Sequence, residues 1–134
     1  MSNLSAFLNP AVSAEEKEVI ISNRFQENGK PVPFKIRALT QEENDQISKR
    51  CSKNELVNGQ WVNKLDSIRY SRELVCAGTV EPNFASKQVC DHFKVADPAL
   101  VPGKMLLAGE FAKLMNEIMC FSGFEENIGE AAKN

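Results

Sequence analysis

One histidine, one tryptophan and no long apolar run leave this chain with few of the marks of a function. No stretch approaches the roughly 18 to 20 apolar residues that span a bilayer, which excludes a transmembrane helix. The first residues, MSNLSAFLNP, lack the basic start and apolar stretch of a secretory signal, so a cytoplasmic protein is expected. No run of lysine or arginine appears, and the formal net charge is -2, which argues against nucleic acid as the main partner. The four cysteines, Cys51, Cys76, Cys90 and Cys120, form no C-x-x-C pair, so neither a zinc knuckle nor a redox motif is written; reduced, mostly buried thiols are expected.

The same scarcity runs through the catalytic repertoire. His92 stands two residues from Cys90, and on a helix that spacing points the two side chains apart. They can neither chelate one ion nor act as nucleophile and base. Glycine frames that cradle phosphates or present a nucleophilic serine are missing. The carboxylates at Glu15, Glu16 and Glu18, and at Glu42, Glu43 and Asp45, fit solvated surface or a helix start. No catalytic, metal or cofactor residue is therefore assigned, and no cofactor is expected.

What the chain does have is apolar pattern. At 134 residues with 43% hydrophobic content it is long enough for one self-sufficient core. Residues 1–17 read as an N-terminal arm, 18–124 as a single domain and 125–134 as a flexible tail with only Ile128 as a large apolar residue. In the arm, Leu4, Phe7 and Leu8 suit either a short amphipathic turn docked on the body or a mobile segment. From Glu18 the period is two: Val19, Ile21 and Phe25 alternate with polar residues, as do Phe34, Ile36 and Ala38 after Asn28-Gly29. Asn-Gly suits the positive φ angles of a tight turn, so a hairpin is expected here.

Thr40 and Glu43 have capping-box spacing and predict a helix from Gln41 to Cys51. A second Asn-Gly, Asn58-Gly59, has short apolar flanks and reads as an extended loop rather than a hairpin. Asp66 opens a helix that ends near Gly78, and a shorter helix covers Ala85 to Val95. Trp61 reads as an anchor of its loop on the core.

The run Met105 to Phe124 predicts the largest apolar face. Leu107, Phe111, Leu114, Ile118 and Phe121 lie along one helical side, and Ser122-Gly123 stops the helix. Glu110, Lys113 and Glu117 form the expected solvated side. The stripe is wider than one packing neighbour covers, so part of it is expected to meet a partner. Met115 and Met119 are the chosen edge, because thioethers adapt to irregular apolar surfaces; Leu107 and Phe111 complete the candidate partner-binding set, Phe111 also siding with Leu114 and Ile118 toward the core.

The order of these pieces resembles the XkdN-like family of phage tail assembly chaperones. The resemblance rests on PFKIRALTQEE (33–43), LDSIRYSRELVCAGTVEPNF (65–84), DPALVPGKMLL (97–107) and GEFAKLMNEIMCFSGF (109–124). It implies a non-enzymatic factor in the host cytoplasm, absent from the mature virion, that keeps the long hydrophobic tape measure protein soluble until tube subunits polymerise around it. It also implies a longer product made by a programmed frameshift, whose extension contacts the tail tube protein. The family supplies no catalytic residues to carry over.

The expected architecture is α+β, an N-terminal β-hairpin followed by about four helices. Self-association into a homo-oligomer is left open. Two other readings also stand at this stage: a small ligand-binding or enzymatic domain with a pocket near Trp61, Tyr70 and His92, or a structural tail or head-completion protein.

Overall fold

The computed structural model describes residues 3–11 and 16–124, and the tail expected at 125–134 lies outside them. In the arm, α1 (Leu4–Leu8) is a single helical stretch with Leu4, Phe7 and Leu8 exposed. The body begins with β1 (Glu16–Val19), which pairs antiparallel with β4 (Phe34–Arg37), Val19 opposite Phe34. Between them, β2 (Gln26–Glu27) and β3 (Lys30–Pro31) close the tip on Asn28-Gly29, at φ 55° and 78°. These are the angles of the type I′ turn expected there.

The alternation in β4 sends Phe34 and Ile36 into the core and leaves Lys35 and Arg37 half-buried. A strand that the sequence pattern did not announce, β7 (Thr79–Glu81), pairs antiparallel with the other edge of β4. The sheet order is thus β1-β4-β7, with β4 in the centre. β7 is only three residues long and follows a helix directly, so it carries too little alternation to be read.

Next, α2 (Gln41–Arg50) starts on the predicted capping box: Glu43 N–H donates to Thr40 Oγ1 at 3.2 Å and Thr40 N–H donates to Glu43 Oε1 at 3.0 Å. The loop expected around Asn58-Gly59 is instead a regular hairpin of β5 (Ser52–Val57) and β6 (Gln60–Leu65), with six residue pairs. Its outer pairs, Lys53 with Lys64 and Asn54 with Asn63, are polar, and backbone pairing of that kind leaves no hydrophobic period to detect. Then α3 (Ser67–Gly78) is capped by Asp66, which accepts from Arg69 N–H at 3.1 Å, and α4 (Lys87–Phe93) by Ser86, which accepts from Val89 N–H at 3.3 Å.

The long final helix is divided. A short 3-10 turn (Pro98–Leu100) leads into α5 (Val101–Met105); Leu106 and Leu107 are extended, at ψ 145° and 158°, and α6 runs Ala108–Phe121. Met105 therefore ends one helix, and the stripe of the next starts after Leu107. The core gathers Ile36 from the sheet, Leu74 and Val75 from α3, Phe84, Val101 and, from α6, Leu114 and Ile118. Gly78 sets the closest approach of two of these helices, because a Cβ there would lie 2.4 Å from Ile118 Cγ2. The class is α+β as expected, but a three-stranded sheet and a separate surface hairpin are found besides the N-terminal hairpin, and among the described residues five α-helices follow that hairpin where about four were expected, with α1 in the arm before it.

Candidate functional site

Along α6 the predicted stripe splits by depth. Leu114 and Ile118 are fully buried, while Phe111, Met115, Met119 and Phe121 are half-buried at the margin of the core. Leu107, in the extended link, is 59% exposed. Beside Phe111 a shallow groove of about 370 Å³ opens between α3 and α5, floored by Pro102, Gly103 and Leu106 and flanked by the exposed Ile68. Of the four candidate residues, only Phe111 lines this groove.

The opposite side of α6 corrects the sequence reading. Glu110, expected in solvent, is only 8% exposed. Arg24 donates to it twice, Nε to Oε2 at 2.8 Å and Nη2 to Oε1 at 2.5 Å, and also donates to the Met105 carbonyl at 3.1 Å. Glu110 in turn accepts from Leu107 N–H at 2.7 Å, which anchors the start of α6. The Arg24 bonds hold the Glu110 carboxyl down at about 2, well below the usual range, and the guanidinium lies 5.1 Å from the Phe25 ring. Periodicity alone could not reveal this, because the partner is 86 residues away.

A second concave surface escaped the sequence entirely. It is a cleft of about 510 Å³ lined by Phe25, Val32, Phe34, Pro82, Phe93 and Met105, with Glu81 as its one charged lining residue. Its walls come from the first hairpin, the segment after β7, α4 and α5, so no local pattern could have announced it.

Trp61 does not anchor on the core; it is 73% exposed on β6, directly opposite Leu56 at 61%. The reason is that the β5–β6 hairpin stands off the body, with its base held by Asp66 N–H to Cys51 O at 2.7 Å. The alternative pocket around Trp61, Tyr70 and His92 is accordingly not assembled. Tyr70 bonds through its hydroxyl to Asn44, and His92 is exposed, with its ring 4.8 Å from Phe93. None of the three lines the groove or the cleft.

Two of the four cysteines, Cys51 and Cys90, are buried, and Cys76 and Cys120 are half-buried. Cys90 donates to the Phe84 carbonyl at 3.3 Å and Cys51 to Glu73 Oε2 at 3.3 Å. Burial pushes the Cys51 thiol up to about 11 and Cys76 to about 12, so both remain protonated and unreactive at neutral pH. Among the described residues no group of three or more histidine, cysteine or acidic side chains is placed to hold a metal ion.

Apolar surfaces of this kind, without an assembled polar constellation, suit contact with protein. The pattern of the family described as phage XkdN-like tail assembly chaperone protein matches residues 4–134. The chain belongs to this family. The chain is 37% identical to the protein YqbN of Bacillus subtilis (strain 168), over 98% of this chain and 93% of that one. It is 34% identical to the phage-like element PBSX protein XkdN of the same organism, over 98% and 94%. The fold agrees with a crystal structure of YqbN at a TM-score of 0.77 and 32% identity, covering 93% of this chain and 99% of that chain. The family is one of phage tail assembly chaperones, which places the partners of its members among the proteins of tail assembly. No helix of the described residues is long and apolar enough to cross a membrane.

Proposed function

We propose that this chain binds the tape measure protein without catalysing a reaction, and keeps it soluble in the host cytoplasm until the tail tube forms around it. The observation that carries the reading is the graded exposure at and along α6: Leu107, just before the helix, is exposed, Phe111 is half-covered where it lines the shallow groove, and Met115 and Met119 are half-covered further along the helix. Such an edge offers apolar area to a partner without opening the core, and the flexible thioethers accommodate irregular segments. A longer frameshifted product would extend the same domain toward the tail tube protein.

Co-expression with the tape measure protein of the same phage tests this. The wild-type chain is expected to bring tape measure protein into the soluble fraction and to co-purify with it. Met115→Glu with Met119→Glu should weaken that capture by at least about tenfold, because two charges would be forced into an apolar contact. Circular dichroism should still report a folded domain. Equal solubility of the tape measure protein with and without the chaperone would overturn the reading. Capture that survives the methionine variant but fails in Val32→Glu would move the binding surface to the cleft of the first hairpin.

A further inference from the structure

We propose that the open edge of β5 pairs antiparallel with β5 of a second copy, in a two-fold register centred on Asn54. Among the described residues the β5–β6 hairpin has no third strand, so each of its strands has one edge without a strand partner there. Its turn places Asn58 and Gly59 at φ 52° and 81°, the type I′ geometry in which the flanking pair Val57 and Gln60 exchange the first hydrogen bonds. Bonded and non-bonded pairs then alternate, which leaves the backbone groups of Ser52, Asn54 and Leu56 pointing outward from β5. A regular edge strand normally carries some device against pairing, such as proline, a bulge or charged side chains. This edge has no proline or bulge, and its two charged residues, Lys53 and Glu55, have opposite signs.

The charges select the partner and the register. With Asn54 opposite Asn54 of the second copy, Ser52 faces Leu56 and the outward backbone groups meet. Lys53 then faces Glu55 of the second copy, and by symmetry the contact occurs twice. Centring on Glu55 would set Glu55 against itself, and centring on Lys53 would do the same with lysine. Along β6 the only charge is Lys64, which has no acidic residue to meet in a self-pairing. The sequence of β5 is thus complementary to itself in one register. The resulting four-stranded sheet brings Leu56 and Trp61 of both copies onto one face, where each alone is strongly exposed.

Sedimentation velocity of the full chain tests it. The wild type should form a dimer whose share rises with concentration. Lys53→Glu alone, or Glu55→Lys alone, should weaken the dimer by at least about tenfold, since each substitution creates two like-charge contacts. Combining the two reversals should restore association, because the opposite pairs re-form; residue 53 also lies directly across from Lys64, which keeps that lysine beside an acid in the combined variant. Asn54→Pro should abolish pairing by removing an outward N–H, while leaving the β5–β6 bonds in place. In the wild type, amide exchange at Ser52, Asn54 and Leu56 should slow as concentration rises. A wild type that stays monomeric, single reversals that associate unchanged, or a combined variant that fails to recover would each overturn the proposal.

Discussion

Two hairpins in this molecule turn on the same dipeptide with nearly the same angles, φ 55° and 78° at Asn28-Gly29 and φ 52° and 81° at Asn58-Gly59. The first closes the tip of the β1–β4 pair of the core sheet, and the other stands on the surface. In the first, Val19, Phe34 and Ile36 point to the helices and are buried, and β7 extends the sheet on the far side of β4. In the second, no residue from Lys53 to Leu65 is buried, and apolar side chains emerge on both faces: Leu56 and Trp61 on one, Val57 and Val62 on the other. The turn therefore decides that a hairpin forms, while the side chains facing the body decide whether it carries global stability.

That division predicts a large asymmetry. Ile36 is fully buried, and Ile36→Ala is expected to cost about 2 to 5 kcal/mol through lost burial and an unfilled cavity. Val62, 44% exposed, should shift stability by no more than about 0.5 kcal/mol when changed to alanine. Urea unfolding of the two variants measures both. Comparable losses would show that the second hairpin is packed into the cooperative unit after all.

The same contrast explains what was legible in the sequence. Period two, capping spacing and Asn-Gly are local signals, and they located β4, the starts of α2 and α3, and the first turn; β1 ends at Val19, so Ile21 and Phe25 of the alternation that starts at Glu18 lie beyond it. Glu110 was misread because helical periodicity assigns a side and not a partner, and Arg24 reaches it from the distant first hairpin. Trp61 was misread because an aromatic residue beside valine has the same local pattern whether or not a core lies beneath it. The division of the last helix turned on Leu107, whose extended backbone is held by a bond to Glu110. The large cleft belongs to no single segment, which is why it was not anticipated.

Acid should act on the two hairpins differently. The first is tied to the helices by carboxylates: Glu110 accepts from Arg24, and Glu43 of α2 accepts from Arg37 of β4, Nη1 to Oε1 at 3.1 Å. The Arg37 bonds first, and then the Thr40 N–H, hold the Glu43 carboxyl down at about 2, as the Arg24 bonds hold Glu110. Both groups titrate lower in the folded state than in the unfolded chain, so the unfolded state takes up protons first as pH falls. Their stabilisation is fully present above about pH 4.5 and is lost as pH drops toward 2. The melting temperature should decline through that window, and Glu110→Gln should flatten the decline. Among the described residues the second hairpin carries one ion pair, Glu55–Lys64 at 3.8 Å on its surface, and Glu55→Gln should change stability at neutral pH by less than about 1 kcal/mol. A Glu110→Gln profile that overlays the wild type would remove this carboxylate from the account.

The smallest effect separates the hairpins most directly, because the change is the same in both. Gly29 and Gly59 have positive φ, and nothing lies within 4 Å of where a Cβ would stand at either. Alanine there meets no neighbour and pays only for the left-handed backbone, about 1 kcal/mol. In the first hairpin that cost is expected to reach the whole molecule. Phe25, just before β2, packs edge-on against the buried Phe34 at 5.3 Å, and its carbonyl accepts from Val32 N–H at 2.7 Å, so strain at the tip pulls on core contacts. Gly29→Ala should then lower the urea midpoint. At Gly59 the same strain meets a hairpin whose side chains are exposed, so it should be relieved by local opening. Amide exchange across 53–64 should quicken in Gly59→Ala while the urea midpoint stays at the wild-type value. Equal midpoint shifts from the two alanines would show that the second hairpin unfolds with the core, and the distinction between a hairpin inside the fold and one standing on it would have to be withdrawn.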